Sequence, residues 1–264
     1  MDLKLDGKLA LVTGSTAGIG LAIAESLAGE GVRVIVNGRT EERVREASAR
    51  IQAAYPKAQL QGLALDLSTA KGALETTRQF PEIDILVNNL GVYEPKPFEE
   101  ITDEEWLSII EMNFMSGVRL SRHYLPRMRF EDTGRIIFIS SESAVNIPVE
   151  MIHYGVTKTM QVALARGLAE TTAGTGVTVN SVLVGPTRSE GVECFLEDMA
   201  RSKNLTKGQV EEEFFRNVRP SSLLQRFETA AEVASMVAYL CSPVAVATNG
   251  AAIRVDGGVV RSIL

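Results

Sequence analysis

Two polar side chains in the second half of the chain, Tyr154 and Lys158, have the types and the spacing needed to move a proton. They are four residues apart, so on a helix they project from one face about one turn from each other. A phenol has an ordinary pKa of about 10 and is a poor base near neutral pH. Because a nearby ammonium favours the phenolate, we expect a lowered pKa for Tyr154 and a role in acid–base chemistry. Taken alone, such a pair is more often an ordinary surface pair.

A glycine-rich segment near the start of the chain has the composition of a phosphate-binding turn. Gly14, Gly18 and Gly20 follow the apolar run at 9–12 and open an amphipathic stretch. Glycines allow a tight turn and a close approach of backbone to a pyrophosphate, and a helix N-terminus supplies unpaired N–H groups. We therefore expect a dinucleotide here. The alternative interpretation is a compact connection between a strand and a helix.

Composition and charge exclude several classes of protein. The chain has 264 residues and a net charge of −6, and no Lys/Arg cluster longer than two residues, which argues against a nucleic-acid partner. No apolar run approaches the roughly 18 residues that span a bilayer, and acidic residues near the N-terminus argue against a signal peptide. Only Cys194 and Cys241 are present, in no metal-ligand spacing, and neither His123 nor His153 is given a metal role. We expect a cytoplasmic protein without a membrane partner or a metal.

Apolar runs typical of buried parallel strands alternate with amphipathic stretches typical of helices. Strands are predicted at 9–12, 32–36, 60–65, 83–87, 136–139, 177–183 and 251–255, and helices at 19–27, 41–54, 74–80, 104–125, 152–172, 192–200, 207–215 and 230–240. This alternation predicts an α/β fold, a Rossmann-like doubly wound parallel sheet of about seven strands with helices on both faces. No linker or repeat interrupts it, so residues 1–264 are interpreted as one domain.

The motifs occur in an order that resembles the short-chain dehydrogenase/reductase family, from Gly7 to Gly258. The family's glycine segment reads T-G-x-x-x-G-x-G, which residues 13–20 match, and its active site reads Ser and then Tyr-x-x-x-Lys. The resemblance implies a catalytic tetrad, which is Asn113, Ser141, Tyr154 and Lys158. In it, Ser141 would hold the substrate oxygen and Lys158 would also bind the nicotinamide ribose. Asn113 would position, through its backbone carbonyl, a water that links Lys158 to solvent.

The end of the second predicted strand indicates which dinucleotide is used. An acidic residue there would hold the 2′-hydroxyl of NAD, but the chain reads Asn37-Gly38-Arg39-Thr40, and Arg39 can pair with a 2′-phosphate. We therefore expect NADP(H) in preference to NAD(H). Against this, Arg39 could be a solvated surface residue, and Ala17 stands where many NADP-using relatives have a basic residue. The expected cofactor site is Gly14, Ser15, Thr16, Gly18, Ile19, Gly20, Arg39, Asp66, Leu67, Asn88, Gly91, Tyr154, Lys158, Gly185, Thr187 and Ser189.

The segment at about 186–227 interrupts the alternation, and the resemblance implies that it is a substrate-binding lid. A helical hairpin that only covers the sheet edge is the alternative. The segment is an apolar and acidic mixture, with Phe195, Met199, Phe214 and Phe215 among its apolar members.

The resemblance also implies a reaction and partners. We expect hydride transfer between the nicotinamide and the carbonyl or secondary alcohol of a small molecule. One alternative is reduction of 3-oxoacyl groups on acyl carrier protein, but Asp132 and Thr175 stand where such reductases often have basic residues. Another is a non-catalytic NADP-binding sensor, against which the complete tetrad argues. The resemblance further implies a homo-oligomer, a dimer or a homotetramer, assembled through the helices at 104–125 and 152–172.

Overall fold

Seven parallel strands form one sheet at the centre of a computed structural model that describes residues 1–263, with residues 190, 191 and 195 described by their backbone alone. The strands are β1 (Leu9–Val12), β2 (Arg33–Gly38), β3 (Leu60–Ala64), β4 (Ile85–Asn88), β5 (Gly134–Ser141), β6 (Val177–Val184) and β7 (Ala252–Val255). Their spatial order is β3-β2-β1-β4-β5-β6-β7, and every neighbouring pair is parallel. The chain therefore reverses its direction of winding between β1 and β4, which opens a crevice at their carboxyl ends.

Helices cover both faces of this sheet. They are α1 (Gly18–Gly29), α2 (Glu41–Ala54), α3 (Ala70–Gln79), α4 (Asp103–Ile110), α5 (Ser116–Phe130), α6 (Ile152–Glu170), α7 (Glu190–Lys203), α8 (Lys207–Asn217) and α9 (Ala230–Cys241). Apolar residues of α1, α2 and α9 form the core on one face, and those of α3, α5 and α6 form the core on the other. The predicted α/β fold is confirmed.

The strands show why their sequences are continuously apolar. In β1, Ala10 and Val12 belong to one core while Leu11 belongs to the other, and all three are fully buried. The same alternation recurs in β2, where Val34 and Val36 face one core and Ile35 the other. Since successive side chains point to opposite faces, a strand covered on both sides needs an apolar residue at every position.

The helix predicted at 104–125 is divided in the structure. A π-helical turn, Glu111–Met115, separates α4 from α5 and contains Asn113. The periodicity of the sequence misses it because a single wide turn inserts one extra residue without changing which side chains are apolar. The strand predicted at 136–139 is also longer than expected, and its last residue is Ser141.

The segment between β6 and α9 has an apolar cluster of its own. Leu196, Val210, Phe215 and Phe227 are buried together, with Met199 and Phe214 packed against them. The rings of Phe214 and Phe227 are stacked at 5.0 Å between centroids. The side chain of Phe195, which the sequence analysis places in this segment, lies outside the described residues, as does Leu264. Helices α7 and α8 therefore form a small unit above the carboxyl end of β6.

Within residues 1–263, no helix is both long enough and apolar enough to cross a membrane. Among the side chains that the structure describes, no three of His, Cys, Asp or Glu are grouped closely enough to hold a metal ion.

Candidate active site

The first turns of α6 carry the two residues from which the sequence analysis starts. Tyr154 and Lys158 lie on one face of this helix, with Lys158 Nζ 5.6 Å from the centroid of the Tyr154 ring. The Lys158 side chain is buried, and its Nζ donates a hydrogen bond to the carbonyl of Ile139 at 2.9 Å. Since Ile139 belongs to β5, the ammonium is held between the helix and the sheet.

Ser141 reaches this pair from the carboxyl end of β5. Of the three neighbouring serines, Ser140 donates to the backbone of α6, at the Lys158 carbonyl, and Ser143 donates to the Glu142 carboxylate at 2.5 Å. The Ser141 hydroxyl accepts from the Ser143 N–H at 3.1 Å and lies 3.4 Å from Glu142 Oε2, and its proximity to Tyr154 acts to lower the pKa of that phenol. The strand end thus places Ser141 as the serine that shares a site with Tyr154.

Asn113 occupies the π turn and clamps the loop that follows β4. Its Oδ1 accepts from the Val92 N–H at 2.8 Å, and its Nδ2 donates to the Val92 carbonyl at 2.9 Å and to Thr157 Oγ1 at 3.1 Å. The backbone carbonyl of Asn113, for which we expected a water, accepts a hydrogen bond from Gln161 Nε2 at 2.5 Å. Gln161 was not among the expected site residues.

Burial controls the ionisation of the two central groups. It raises the pKa of Tyr154 to about 12; the Ser141 hydrogen bond and Arg219 act in the opposite direction, and Glu142 and Tyr93 add to the rise. Burial also lowers the pKa of Lys158 to about 8. The expected lowering of the Tyr154 pKa is therefore wrong for the groups that the chain itself supplies, because loss of hydration outweighs the neighbouring cation.

The glycine segment forms a cradle at the start of α1. Gly14 has a positive φ of 63°, and a Cβ on Gly20 would collide with the carbonyl oxygen of Gly14. Ala17, at the N-cap, makes no side-chain hydrogen bond to the helix, whereas Thr40 and Thr69 cap α2 and α3. The first N–H groups of α1 are thus left for an anion, and the turn fits a dinucleotide pyrophosphate.

Asn89 holds this cradle and was missed by the sequence analysis. Its Nδ2 donates to the carbonyls of Thr13 and Gly14, at 2.9 and 3.2 Å, and its backbone N–H donates to Thr13 Oγ1. The residue expected in the cofactor site was the preceding one, Asn88. Its Nδ2 instead donates to Ser121 in the interior, at 3.4 Å. The two adjacent asparagines cannot be told apart by residue type; they differ in that Asn88 ends β4 and points into the interior, whereas Asn89 follows β4 and points to the cradle.

The end of β2 presents a buried neutral side chain, Asn37, and then a cation, Arg39. The Asn37 side chain is buried, accepting from the Gly14 N–H at 3.0 Å and donating to the carbonyls of Leu63 and Leu65. Ser15 is also turned inward, its hydroxyl donating to the Val12 carbonyl. Arg39 follows on the surface with an exposed side chain.

The remaining predicted cofactor residues divide by position. Those that line one cleft, with the serine and the Tyr/Lys pair, are Gly14, Ile19, Gly20, Gly91, Ser141, Tyr154, Lys158, Gly185, Thr187 and Ser189. Those outside its lining are Ser15, Thr16, Gly18, Arg39, Asp66, Leu67, Asn88 and Asn113. Asp66 is exposed and accepts two hydrogen bonds from Ser68, while Leu67 is buried in the core. Of this pair, only the exposed Asp66 is placed to meet a ligand through its side chain.

The cleft has a volume of about 640 Å³ and lies at the carboxyl ends of the central strands. Beside the reacting groups it is lined largely by apolar side chains from the loop after β4, the turn before α6 and the segment between β6 and α9, and these are Tyr93, Pro95, Met151, Val192, Phe214, Val218 and Phe227. Such a volume takes a nicotinamide and a small organic molecule together.

The comparisons with known proteins agree with this geometry. A model of the short chain dehydrogenase family matches residues 8–200. The chain belongs to this family. It is 49% identical over 263 residues to the oxidoreductase YvaG of Bacillus subtilis strain 168, covering 100% of both chains. It is 35% identical to the 3-oxoacyl-[acyl-carrier-protein] reductase FabG of Escherichia coli K12, over 97% of this chain and 98% of that one.

A solved structure extends the likeness to the three-dimensional fold. The L-sorbose reductase of Gluconobacter frateurii, determined with NADPH and L-sorbose, superposes with a TM-score of 0.93 over 100% of both chains at 30% identity. This short-chain dehydrogenase is therefore an NAD(P)-dependent oxidoreductase.

A buried ion pair beside the reacting groups is a further feature that the motifs did not reveal. Arg219 Nε donates to Glu142 Oε1 at 2.8 Å, and Arg219 also lies 3.4 Å from Glu150. Arg219 and Glu142 are 9% and 3% exposed, so both charges are removed from water. The pair joins the end of β5 to the segment after α8. The partners are 77 residues apart in sequence, and only the folded chain shows that they meet.

Proposed function

We propose that this short-chain dehydrogenase prefers NADP(H) and transfers hydride between the nicotinamide and the carbonyl or secondary alcohol carbon of a small molecule. The observation that carries the proposal is the meeting of Ser141, Tyr154 and Lys158 in a cleft whose other end is the glycine cradle. A nicotinamide bound there supplies or accepts the hydride. The chain itself then has to hold the substrate oxygen and manage one proton.

The hydrogen-bonding groups of each active-site side chain determine its proposed role. Ser141 donates a hydrogen bond to the substrate oxygen and Tyr154 gives that oxygen its proton in reduction, or takes it in oxidation. A phenol whose pKa is raised to about 12 is well suited to remain protonated until the carbonyl oxygen gains negative charge. Lys158 stabilises the phenolate left after transfer and binds the nicotinamide ribose. Asn113 fixes the loop after β4 against α6.

The preference for NADP(H) is supported by the end of β2. Asn37, near the end of β2, is neutral, and its side chain is committed to three hydrogen bonds inside the fold, so it is not available to hold a ribose 2′-hydroxyl. The exposed guanidinium of Arg39 offers a charge-assisted contact to a 2′-phosphate instead. The L-sorbose reductase was determined with NADPH, which is in keeping with this choice.

A small free carbonyl compound is the proposed substrate, with residues 186–227 as the lid of a one-domain protein. The cleft is mainly apolar, and part of its lining comes from that segment, through Val192, Phe214 and Phe227. The acyl-carrier alternative, suggested by the likeness to FabG, is less favoured because Asp132 and Thr175 lack the basic charge an acidic carrier needs. They precede β5 and β6, where Asp132 Oδ1 accepts from the Gly176 N–H.

We also propose a homo-oligomer, a dimer or a tetramer of the 28.6 kDa chain, which light scattering would test. Large apolar side chains on the surface support it, including Leu107 of α4 at 67% exposure and Phe130 at the end of α5 at 80%. The proposed cytoplasmic location rests on the sequence alone.

The cofactor proposal is tested by titrating the protein with NADPH and NADH and following nicotinamide fluorescence. We expect tighter binding of NADPH, and a loss of that preference in Arg39→Asp, because the 2′-phosphate contact becomes a repulsion worth about 1–3 kcal/mol. Arg45→Asp is the matched control, since it makes the same charge change at an exposed position of α2. Equal affinities in the unchanged protein would contradict the NADP preference, and binding of neither nucleotide would contradict the oxidoreductase proposal.

A further inference from the structure

The side chain of Gln161 joins two members of the proposed active site. Its Nε2 donates to the carbonyl of Asn113 at 2.5 Å, and its Oε1 accepts from Lys158 Nζ at 3.3 Å. Gln161 is 2% exposed and lies three residues after Lys158 on the same face of α6. One fixed amide therefore connects the two groups between which a water was expected.

The orientation of this amide is determined by its partners. The carbonyl of Asn113 can only accept, so it must face the NH₂ group of Gln161. The Lys158 ammonium can only donate, so it must face the amide oxygen. The reverse orientation would leave two buried mismatched groups, which is costly. The π turn contributes by displacing Asn113 from the regular ladder of α4 and α5, where its carbonyl is available to α6.

We propose that Gln161 is a positioning residue of this enzyme, whose amide takes the place of a relay water, keeps the Lys158 ammonium charged and aimed along the cleft, and closes the proton path on the Asn113 side. The inference rests on the proposed function, because it assigns a role within the same Ser141, Tyr154 and Lys158 site.

Hydrogen-bond chemistry gives the amide two effects. Burial disfavours the ammonium of Lys158, and each neutral acceptor that it keeps, Ile139 O and Gln161 Oε1, favours the charged form. An amide, unlike a water, does not release and regain protons near neutral pH, so it can hold Lys158 but not pass a proton onward. The proton given up by Tyr154 must then be replaced from the open side of the cleft.

The charged and titratable groups around the pair come from three other segments. They are Glu142 after β5, Tyr93 in the loop after β4 and Arg219 after α8, and all three act on Tyr154. The π turn contributes a neutral group, the carbonyl of Asn113, which is linked to Lys158 by the Gln161 amide. A substitution at position 161 should therefore change the pKa of Lys158 directly, and that of Tyr154 only through Lys158.

The test measures the ionisation of Lys158 directly, without substrate or cofactor. The whole protein is given a trace of formaldehyde with a borane reductant over a series of pH values, and methylation of Lys158 is followed by peptide mass spectrometry, with the exposed Lys57 as internal reference. The variants are Gln161→Met, which keeps the length but neither hydrogen bond, and Gln161→Glu, which places a carboxylate on the ammonium. Thr172→Val is the control, since it removes a buried hydroxyl just beyond the far end of α6.

We expect the midpoint for Lys158 to fall by about one pH unit in Gln161→Met, a tenfold change in the ionisation equilibrium, and to rise by about as much in Gln161→Glu. Thr172→Val should leave it unchanged. Midpoints that agree across folded Gln161 variants would overturn the proposal. If Gln161→Met fails to fold, as judged by its thermal melt, Gln161→Glu decides alone.

The same preparations separate this inference from the proposed function. NADPH binding and NADPH consumption with simple diketones are measured on each. An unchanged protein that binds NADPH but reduces no carbonyl compound contradicts the proposed function, whatever happens to Lys158. Normal turnover by the unchanged protein, with no movement of the Lys158 midpoint in either variant, contradicts the role of Gln161 alone.

Discussion

At the scale of the residue, the site is controlled by how much water its charged groups have lost. Burial raises the pKa of Tyr154 and lowers that of Lys158, so the isolated pair favours two neutral side chains more than an ion pair. The polar partners that surround the pair, Ser141 and Gln161, work against this tendency. Spacing in the sequence identifies such a pair, but its ionisation depends on neighbours that the fold supplies.

Glu228 shows the same effect away from the reacting groups. It is 3% exposed, and neither carboxylate oxygen has a hydrogen-bond partner among the described residues. Burial first, and then the charges of Asp256 and Glu232, raise its pKa from 4.5 to about 8. Between these two values the folded protein holds a proton that the unfolded chain has lost, so this group makes stability fall as the pH rises through that window.

We therefore predict that Glu228→Gln stabilises the protein at about pH 8, by roughly 2 kcal/mol after allowance for solvent screening, and changes little at about pH 4. Chemical denaturation at the two pH values measures the difference. Glu232→Gln is the control of opposite sign. Arg226 holds the pKa of Glu232 at about 2, so this carboxylate stabilises the fold above its ordinary pKa of 4.5 and its removal should cost stability near neutral pH. Equal stability of Glu228→Gln and the unchanged protein at about pH 8 would contradict the prediction.

At the scale of the element, the ion pair between Arg219 and Glu142 connects the proposed lid, residues 186–227, to the sheet. Arg219 follows α8, and Glu142 directly follows Ser141 at the end of β5. The side chains of the pair are only 11% and 4% exposed, so removing Arg219 leaves the Glu142 carboxylate buried with hydroxyl donors but no cation. The position of the proposed lid and that of Ser141 are thus linked through adjacent residues of the chain.

Arg219→Met should loosen the lid more than the sheet. We expect a loss of stability of about 3 kcal/mol and at least tenfold faster amide hydrogen exchange in α7 and α8 than in the unchanged protein. The double variant with Glu142→Gln should recover part of the loss, because it removes the orphaned charge. Arg201→Met, at an exposed position of α7, is the control. Unaltered exchange in α7 and α8 would show that the pair does not hold the lid.

At the scale of the whole molecule, the pattern of the sequence determines the sheet but not all of its contacts. The seven apolar runs predict the seven strands, because strands covered on both faces must be apolar throughout. The glycine segment and the Tyr154 to Lys158 spacing are local, so their placement follows from neighbouring residues. Other features depend on parts of the chain that are distant in sequence, as when Gln161 meets Asn113 48 residues away. No local pattern in the sequence could have predicted that contact.

The π turn and the ionisation of Tyr154 were beyond prediction for different reasons. The turn widens one helix without disturbing its apolar periodicity, so a pattern of residue types does not reveal it. The pKa of Tyr154 depends on a balance between burial and charges from three separate segments. The spacing in the sequence predicts an ammonium near Tyr154 but not the burial of the phenol. Burial has the larger effect on the pKa of Tyr154.

The central claim is that Tyr154 passes a proton to a carbonyl oxygen while NADPH gives up hydride in the same cleft. The measurement that tests it most directly is NADPH consumption with a panel of small ketones, diketones and ketoses, by the unchanged protein and by Tyr154→Phe. We predict turnover of at least one compound by the unchanged protein and a loss of at least about 10²-fold in kcat for Tyr154→Phe, with NADPH affinity retained. Full activity of Tyr154→Phe would contradict the account.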